Sequence, residues 1–464
     1  MLFSDPVFFA FFAVYFVLHL LLPVRWRLWL VIVGSTVFYG WWRPAYVELP
    51  YILTVTAWAG TLWLSAAKEE RVRRLRFAAT IVLVFLPLVI VKYAYFVAND
   101  VLGLKGVVDT DQLRWPLPLG ISFITFTLSA YVIDVYRGQY QAERSLPLVL
   151  SYVLFFPHLI AGPILRPHEL MPQLRHMRDA LGARFLLGVA IFTLGLVKKL
   201  VFADSIAAAV DRVYTGHGGD SGWEYLLAAY GFSAQIYCDF SGYTDMAIGL
   251  AYLLRIRLPT NFLRPYAASS VIHFWRQWHI TLSHWLRDYL YIPLGGNRGG
   301  RAPQFRNIVI TMMLGGLWHG ANWTFLIWGL LHGLALGATH LLRSPMRSFG
   351  IVLPGWIAVL LTFHFVTFAW IFFRASDTKT VQNFIGGLVH GSWGDPIFTL
   401  QQNAFVILLL VVFFALHRFD RHALLRICVR RANRLITIAA IAFFWMLTIA
   451  ISQGSSAKFI YFDF

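Results

Sequence analysis

The residues with the most chemical capacity lie in three segments of the middle of the chain. The first, Trp318-His319-Gly320-Ala321-Asn322-Trp323-Thr324, sets one histidine between two apolar stretches, 308–317 and 325–342. Imidazole is the side chain best suited to moving a proton near neutral pH. In apolar surroundings it needs a polar partner, so His319 is either a catalytic acid–base group or a structural histidine bonded to a carbonyl. The second segment, 274–289, contains Arg276, His279, Ser283, His284, Arg287 and Asp288 among aromatic residues. Read as one helix, it puts Arg276, His279 and Ser283 on one face and His284 and Asp288 on another. That pattern fits a helix facing a cavity, and it also fits an interfacial anchor rich in Trp and Arg. The third segment, 235–246, interrupts an apolar stretch with Asp239 and Asp245. A carboxylate at membrane depth costs at least ~2.5–3.5 kcal/mol, so each needs an Arg, a His or hydroxyls, and a buried structural ion pair is the simpler reading.

Two further features are weaker. The stretch Pro293-Leu294-Gly295-Gly296-Asn297-Arg298-Gly299-Gly300-Arg301 offers backbone amides able to hold phosphate, but it has no Walker lysine and no dinucleotide fingerprint. It reads first as a cytoplasmic turn, with Asn297 and Arg298, together with Arg276, as candidates for contacting a phosphate-bearing cofactor. His158, His332 and His364 read as structural. His319 and His332 are thirteen residues apart, roughly 220° around a helix, and need not share a face. Cys238 and Cys428 match no metal spacing and form no disulfide framework, so neither a metal site nor redox chemistry is expected.

The elements that hold these residues are set by composition. Of 464 residues, 58% are hydrophobic and 13% charged, against roughly 25% charged in soluble domains. Apolar runs at 6–22, 77–98, 357–373, 404–416 and 435–451 approach the ~20 residues that cross a bilayer. The opening segment lacks a basic start and a small-residue cleavage site, and reads as a retained span. The formal charge of +17 is assigned to cytoplasmic loops and anionic lipid, not to nucleic acid. Basic loops at 25–27, 68–76, 343–347 and 418–434 alternate with neutral or mixed ones at 43–45, 99–114 and 375–402. The positive-inside rule then puts both ends of the chain outside the cytoplasm and requires an even number of crossings. The expected fold is an all-α polytopic membrane protein with ten to twelve transmembrane helices. Between 116 and 342 charges, Gly and Pro break the apolar runs, so re-entrant or interfacial helices are expected there. Such backbone persists at depth only when protein buries it or water reaches it. A single membrane domain is expected over 1–464, with N-terminal helices at 1–115, a catalytic core at 116–342 and C-terminal helices at 343–464.

Together these residues resemble the membrane-bound O-acyltransferase family. The resemblance rests on Trp318-His319-Gly320-Ala321-Asn322-Trp323, Trp328-Gly329, His332-Gly333, Trp275-Arg276-Gln277-Trp278-His279-Ile280 and Arg287-Asp288-Tyr289-Leu290-Tyr291-Ile292-Pro293. It extends over 118–123, 159–164, 239–243 and 459–462, nearly the whole chain, and is strongest for the bacterial branch that O-acetylates alginate. It implies that His319 is the catalytic histidine and His279 the second polar position. It implies a cavity open to both sides of the membrane and an acyl thioester, acetyl-CoA, entering from the cytoplasm. The branch implies an inner-membrane location, a periplasmic acetyltransferase partner and an exopolysaccharide as final acceptor. Cellulose, peptidoglycan and teichoic acid are the alternative acceptors. His158 departs from the Gln expected there in many close relatives. A transporter is the reading from another class, since intramembrane carboxylates and broken helices suit it too. No second copy of the tryptophan–histidine segments is found.

Overall fold

The computed structural model describes residues 1–104, 110–113, 115–177, 185–219, 221–348, 353–452 and 459–460, with side chains at 111 and 343–348 left aside. The expectations placed on Asp109, on the 343–347 basic loop's side chains and on 461–462 lie outside the described residues. The described chain is helical, with one isolated bridge between Ser221 and Ser392 in place of any strand. Five helices are long and apolar enough to cross a membrane: Glu70–Val101, Phe185–Tyr214, Trp323–Leu342, Gly355–Arg374 and Arg434–Ser452. Pro6–Leu21, Ile121–Tyr136 and Ala404–His417 are apolar but shorter. Leu435, Ile436, Met446 and Ile449 stand more than half exposed, an apolar surface suited to lipid.

Packing divides the chain into two compact units. One comprises Met1–Phe192 with Tyr243–Pro259. Its core is aromatic: Phe38 lies 5.5 Å and Tyr15 5.1 Å from the Phe156 ring. Small residues let its helices approach, since a Cβ on Gly34 would meet the Tyr15 ring at 2.6 Å. The Glu70–Leu88 helix contains Pro87 and continues directly into π-helical turns at Val89–Tyr93 and Val97–Val101. Proline removes one ladder donor, and wide turns are one way a helix accommodates the loss. In the same unit His158 is buried with Nε2 2.8 Å from the Tyr152 carbonyl, a structural role.

The other unit comprises Thr193–Gly242 with Thr260–Phe464. Its centre is a hairpin of two helices, Arg301–His319 and Trp323–Ser348. Gly329, Gly333 and Gly337 recur every four residues on the second helix, the small-residue spacing that lets helices touch backbone to backbone. A Cβ on Gly329 would meet the Met312 carbonyl oxygen at 2.4 Å, and one on Gly316 would meet that of Phe325 at 2.2 Å. Asn322 closes the turn: its Oδ1 accepts from Thr324 N–H at 3.0 Å, while its Nδ2 donates to the Ser376 carbonyl at 2.6 Å.

One expectation is overturned. Segment 274–289 is not one helix but Val271–Trp275, a break, Ile280–Leu286 and a π-helical stretch Arg287–Tyr291. His279 sits at the break with φ 42° and ψ 56°, a left-handed conformation that stops an α-helix. Arg276 is consequently exposed while His279 is fully buried, so the shared face predicted by helical spacing does not form.

The hairpin yields a test. Gly329→Val must drive a branched side chain into a backbone carbonyl, which overpacking places at about 1–3 kcal/mol or more. The expected result is a lowered melting temperature and loss of monodisperse protein in detergent. A variant as stable as the parent would refute the close approach.

Candidate active site

His319 is the last residue of its helix, and Gly320 leaves it in extended backbone at φ −160°, ψ 148°. The imidazole is nearly fully buried and walled by rings. Trp318 lies at 4.9 Å, Phe373 at 5.0 Å and Trp328 at 5.3 Å between centroids, all steeply inclined to it. Phe373 comes from the last turn of the Gly355–Arg374 helix. The bonds from Asn322 to Ser376 and from Thr324 Oγ1 to the Ala375 carbonyl, 3.4 Å, fasten the hairpin turn to that helix end.

His279 lies on the other side of the Trp318 ring, 6.1 Å from it. Its position follows from one residue, Asn261. The Asn261 carbonyl accepts Ile280 N–H at 2.9 Å, and its side-chain Oδ1 accepts Thr281 N–H at 3.1 Å and Thr281 Oγ1–H at 2.9 Å. These bonds satisfy donors that the start of the Ile280–Leu286 helix leaves open. The same Oδ1 stands 3.3 Å from His279 Nδ1. A backbone N–H can only donate, so the atom facing Thr281 is the oxygen, and His279 Nδ1 must then be the protonated nitrogen. In neutral His279 the lone pair is therefore on Nε2. That nitrogen is suited to accept a proton, and it can donate to a developing oxyanion only as imidazolium. Phe240, 4.7 Å away and edge-on, and Phe262, 6.3 Å away, complete its surroundings.

His332 joins this group, a relation that single-helix spacing left open. The chain turns back between His319 and His332, and both meet Trp328 edge-on, His332 at 4.8 Å. Trp275 Nε1–H donates to His332 Nδ1 at 3.2 Å. His332 thus has a hydrogen-bond partner and sits beside His319, across the Trp328 ring.

Asp239 is a buried ion-pair partner. Lys199 Nζ reaches Asp239 Oδ1 at 2.8 Å and Asp204 Oδ1 at 2.7 Å. Lys198 meets Asp420 at 2.6 Å, and Tyr237 Oη–H donates to the same carboxylate at 2.6 Å. Pairing both charges and filling their remaining bonding capacity is the condition for keeping ions in a low-dielectric interior.

A pocket of about 280 Å³ runs along the hairpin, with Trp275, Ser283, Arg287, Asn297, Thr311 and Met312 among its walls. Asn297 is held there because Asn307 Nδ2 donates to the Gly296 carbonyl at 3.0 Å, binding the glycine turn to the helix that ends in His319. Met312 precedes His319 by seven residues, about 10 Å of helical rise. Arg298 is exposed on the same turn, and Arg276 is exposed at the break before His279; neither lines this pocket. Among the described residues no cluster of His, Cys, Asp and Glu is arranged to hold a metal. The bonds of Asn261 to His279, of Lys199 to Asp239 and of Trp275 to His332 are not marked in the sequence, because they join residues 18 to 57 apart and no local spacing records them.

Two buried histidines on either side of one indole, inside an apolar helical body, have the chemistry for proton transfer away from water. Residues 80–376 match the membrane-bound O-acyltransferase family. The chain belongs to that family and is a multi-pass membrane acyltransferase. It is 40% identical over 385 residues to the probable alginate O-acetylase AlgI of Azotobacter vinelandii, covering 81% of this chain and 76% of that protein. It is 36% identical over 423 residues to the peptidoglycan O-acetyltransferase of Helicobacter pylori, covering 84% and 80%. The teichoic acid D-alanyltransferase of Bacillus subtilis is 27% identical over 277 residues, covering 55% and 68%.

The role of Asn261 can be checked by paired substitutions. Asn261→Ala leaves Thr281 N–H and His279 Nδ1–H without their acceptor, a loss of about 1–3 kcal/mol for each buried donor. Asn261→Asp keeps the acceptor oxygen. Acyl transfer and melting temperature should both fall in the first and recover substantially in the second. Equal activity in Asn261→Ala and the parent would show that the bond does not orient His279.

Proposed function

We propose that this protein takes acetyl groups from acetyl-CoA on the cytoplasmic side of the inner membrane and delivers them toward the periplasm for O-acetylation of an exopolysaccharide, alginate being the first expectation. The observation that carries the reading is the buried pair His319 and His279 on either side of one indole, in a chain similar to named alginate O-acetylases. His319 is the general base. It takes the proton of an acceptor hydroxyl as that oxygen attacks the thioester carbonyl carbon; the carbon–sulfur bond breaks and the leaving thiolate receives a proton. Positioning and proton removal are most of what a thioester requires. His279, with its lone pair on Nε2, serves as a second acceptor in the proton path. An acetyl-histidine intermediate is the chemical alternative. The donor's pantetheine arm lies in the pocket beside Asn297, and Arg276 and Arg298 meet its phosphates from the exposed turns.

A second reading of the acceptor is kept, because the Helicobacter relative is a peptidoglycan O-acetyltransferase and the Bacillus relative acts on teichoic acid. Acetyl analysis of the secreted polymer and of the cell wall, with and without this protein, separates the acceptors. The topology that goes with the main reading has ten to twelve crossings, both ends periplasmic, and 68–76 and 418–434 cytoplasmic. Reporter fusions that place residue 464 in the cytoplasm would refute it.

His319→Ala is expected to abolish acetyl transfer, a loss on the order of 10²–10⁴ in rate, with membrane insertion unchanged. His332→Ala should do less. Near-parental transfer by purified His319→Ala would overturn the assignment. Transfer to the polymer is expected to need a periplasmic acetyltransferase, because a hydrated glycan brought among these rings would shed water without replacement partners. In liposomes holding acetyl-CoA inside and de-acetylated alginate outside, acetylation should appear only when a periplasmic fraction is added. Efficient acetylation without it would defeat the relay.

A further inference from the structure

The surroundings of His279 contain a segment far removed in sequence. Phe459 is completely buried, and its ring centroid lies 6.1 Å from that of Phe240. The next residue, Ile460, donates its backbone N–H to Asp239 Oδ2 at 2.8 Å. Asp239 is the residue before Phe240, and its other oxygen takes Lys199 Nζ, which Asp204 also holds. The approach of Lys199 depends on a second close contact. A Cβ on Gly242, less than one turn on, would meet the Gly195 carbonyl at 2.7 Å and Lys199 N at 3.1 Å. The carboxylate is therefore gripped from both sides, by a buried ammonium and by a main-chain amide.

We infer that Phe459 and Ile460 are positioning residues for His279, acting through Phe240. The imidazole has two kinds of contact. Asn261 sets its tautomer and its Nδ1 direction. Phe240, edge-on at 4.7 Å and 85°, sets how far the ring can rotate about that bond. Phe240 is itself packed against Phe262, at 5.0 Å, and Phe459, at 6.1 Å. Removing the Phe459 ring opens a void beside Phe240, and a ring next to a void no longer fixes its neighbour. Misplacement of a reacting group by about 1 Å can cost up to 10²-fold in rate. The amide of Ile460 serves a different end: it fastens Phe459 to the ion pair, which has no freedom of its own because an unpaired charge at this depth is costly.

This inference rests on His279 taking part in the reaction, and the experiment separates the two claims. Full-length parent, His279→Gln, Phe459→Ala, Phe459→Leu and Ile460→Pro proteins are placed in liposomes with acetyl-CoA, de-acetylated alginate and a periplasmic fraction, and thiol release is followed. Proline at 460 removes the N–H and keeps an apolar residue. Phe459→Ala and Ile460→Pro should each lower kcat about ten- to a hundredfold with KM for acetyl-CoA within about twofold, and Phe459→Leu should recover most of the loss. Melting temperatures are measured alongside. Parental kcat in Phe459→Ala beside an inactive His279→Gln overturns the inference alone. Parental kcat in His279→Gln overturns the role of His279. A fall in kcat that follows the melting temperature, with no recovery in Phe459→Leu, makes the segment merely structural and overturns the inference too.

Discussion

A polar group carried inside a lipid-facing body has to find its partner within the protein, and the catalytic unit is organised around that requirement. The two oxygens of Asn261 show it. One amide oxygen accepts from a backbone N–H, a hydroxyl and an imidazole, and the same residue's carbonyl takes the first free amide of the following helix. The left-handed turn at His279 would be unfavourable for a residue with a Cβ if nothing opposed it. Four bonds from one residue make it the state of lowest free energy, and the second histidine is delivered as a consequence.

The first histidine depends on a different constraint, the close approach of two helices. Glycines at 316, 329 and 333 allow backbone contact along the hairpin, and the tight turn at Gly320–Asn322 leaves His319 at a helix end. Aromatic residues then fill the space around both imidazoles. Rings suit this purpose: they exclude water, bring few polar atoms, and lock into edge-on geometry that a flexible aliphatic side chain would not hold. Buried ions are paired, Lys199 with Asp204 and Asp239 and Lys198 with Asp420, so that each charge answers another. In the proposed mechanism, proton transfer and structural charge are thereby divided between different residues, and acyl transfer from a thioester would ask for little more than such a pair, well placed.

Much of this was legible in the amino-acid sequence. Low charge and long apolar runs decide membrane residence, because no water-facing surface can be made from them. The tryptophan–histidine segments and their resemblance to a family decide the class of reaction. The carboxylate at 239 was readable as an ion pair because burial in hydrocarbon leaves it few alternatives. What the sequence could not decide were the relations between distant residues. Helical periodicity joined Arg276 to His279, and it left open whether His319 and His332 meet. The fold parts the first two and brings the second two to one ring, since periodicity holds only while backbone dihedrals repeat, and they stop repeating at His279 and at Gly320. The tautomer of His279, the ring shared by His319 and His332, and the amide of Ile460 on Asp239 each join side chains whose proximity comes from packing alone. No local pattern records such contacts, because their free energy depends on where the rest of the chain has come to lie.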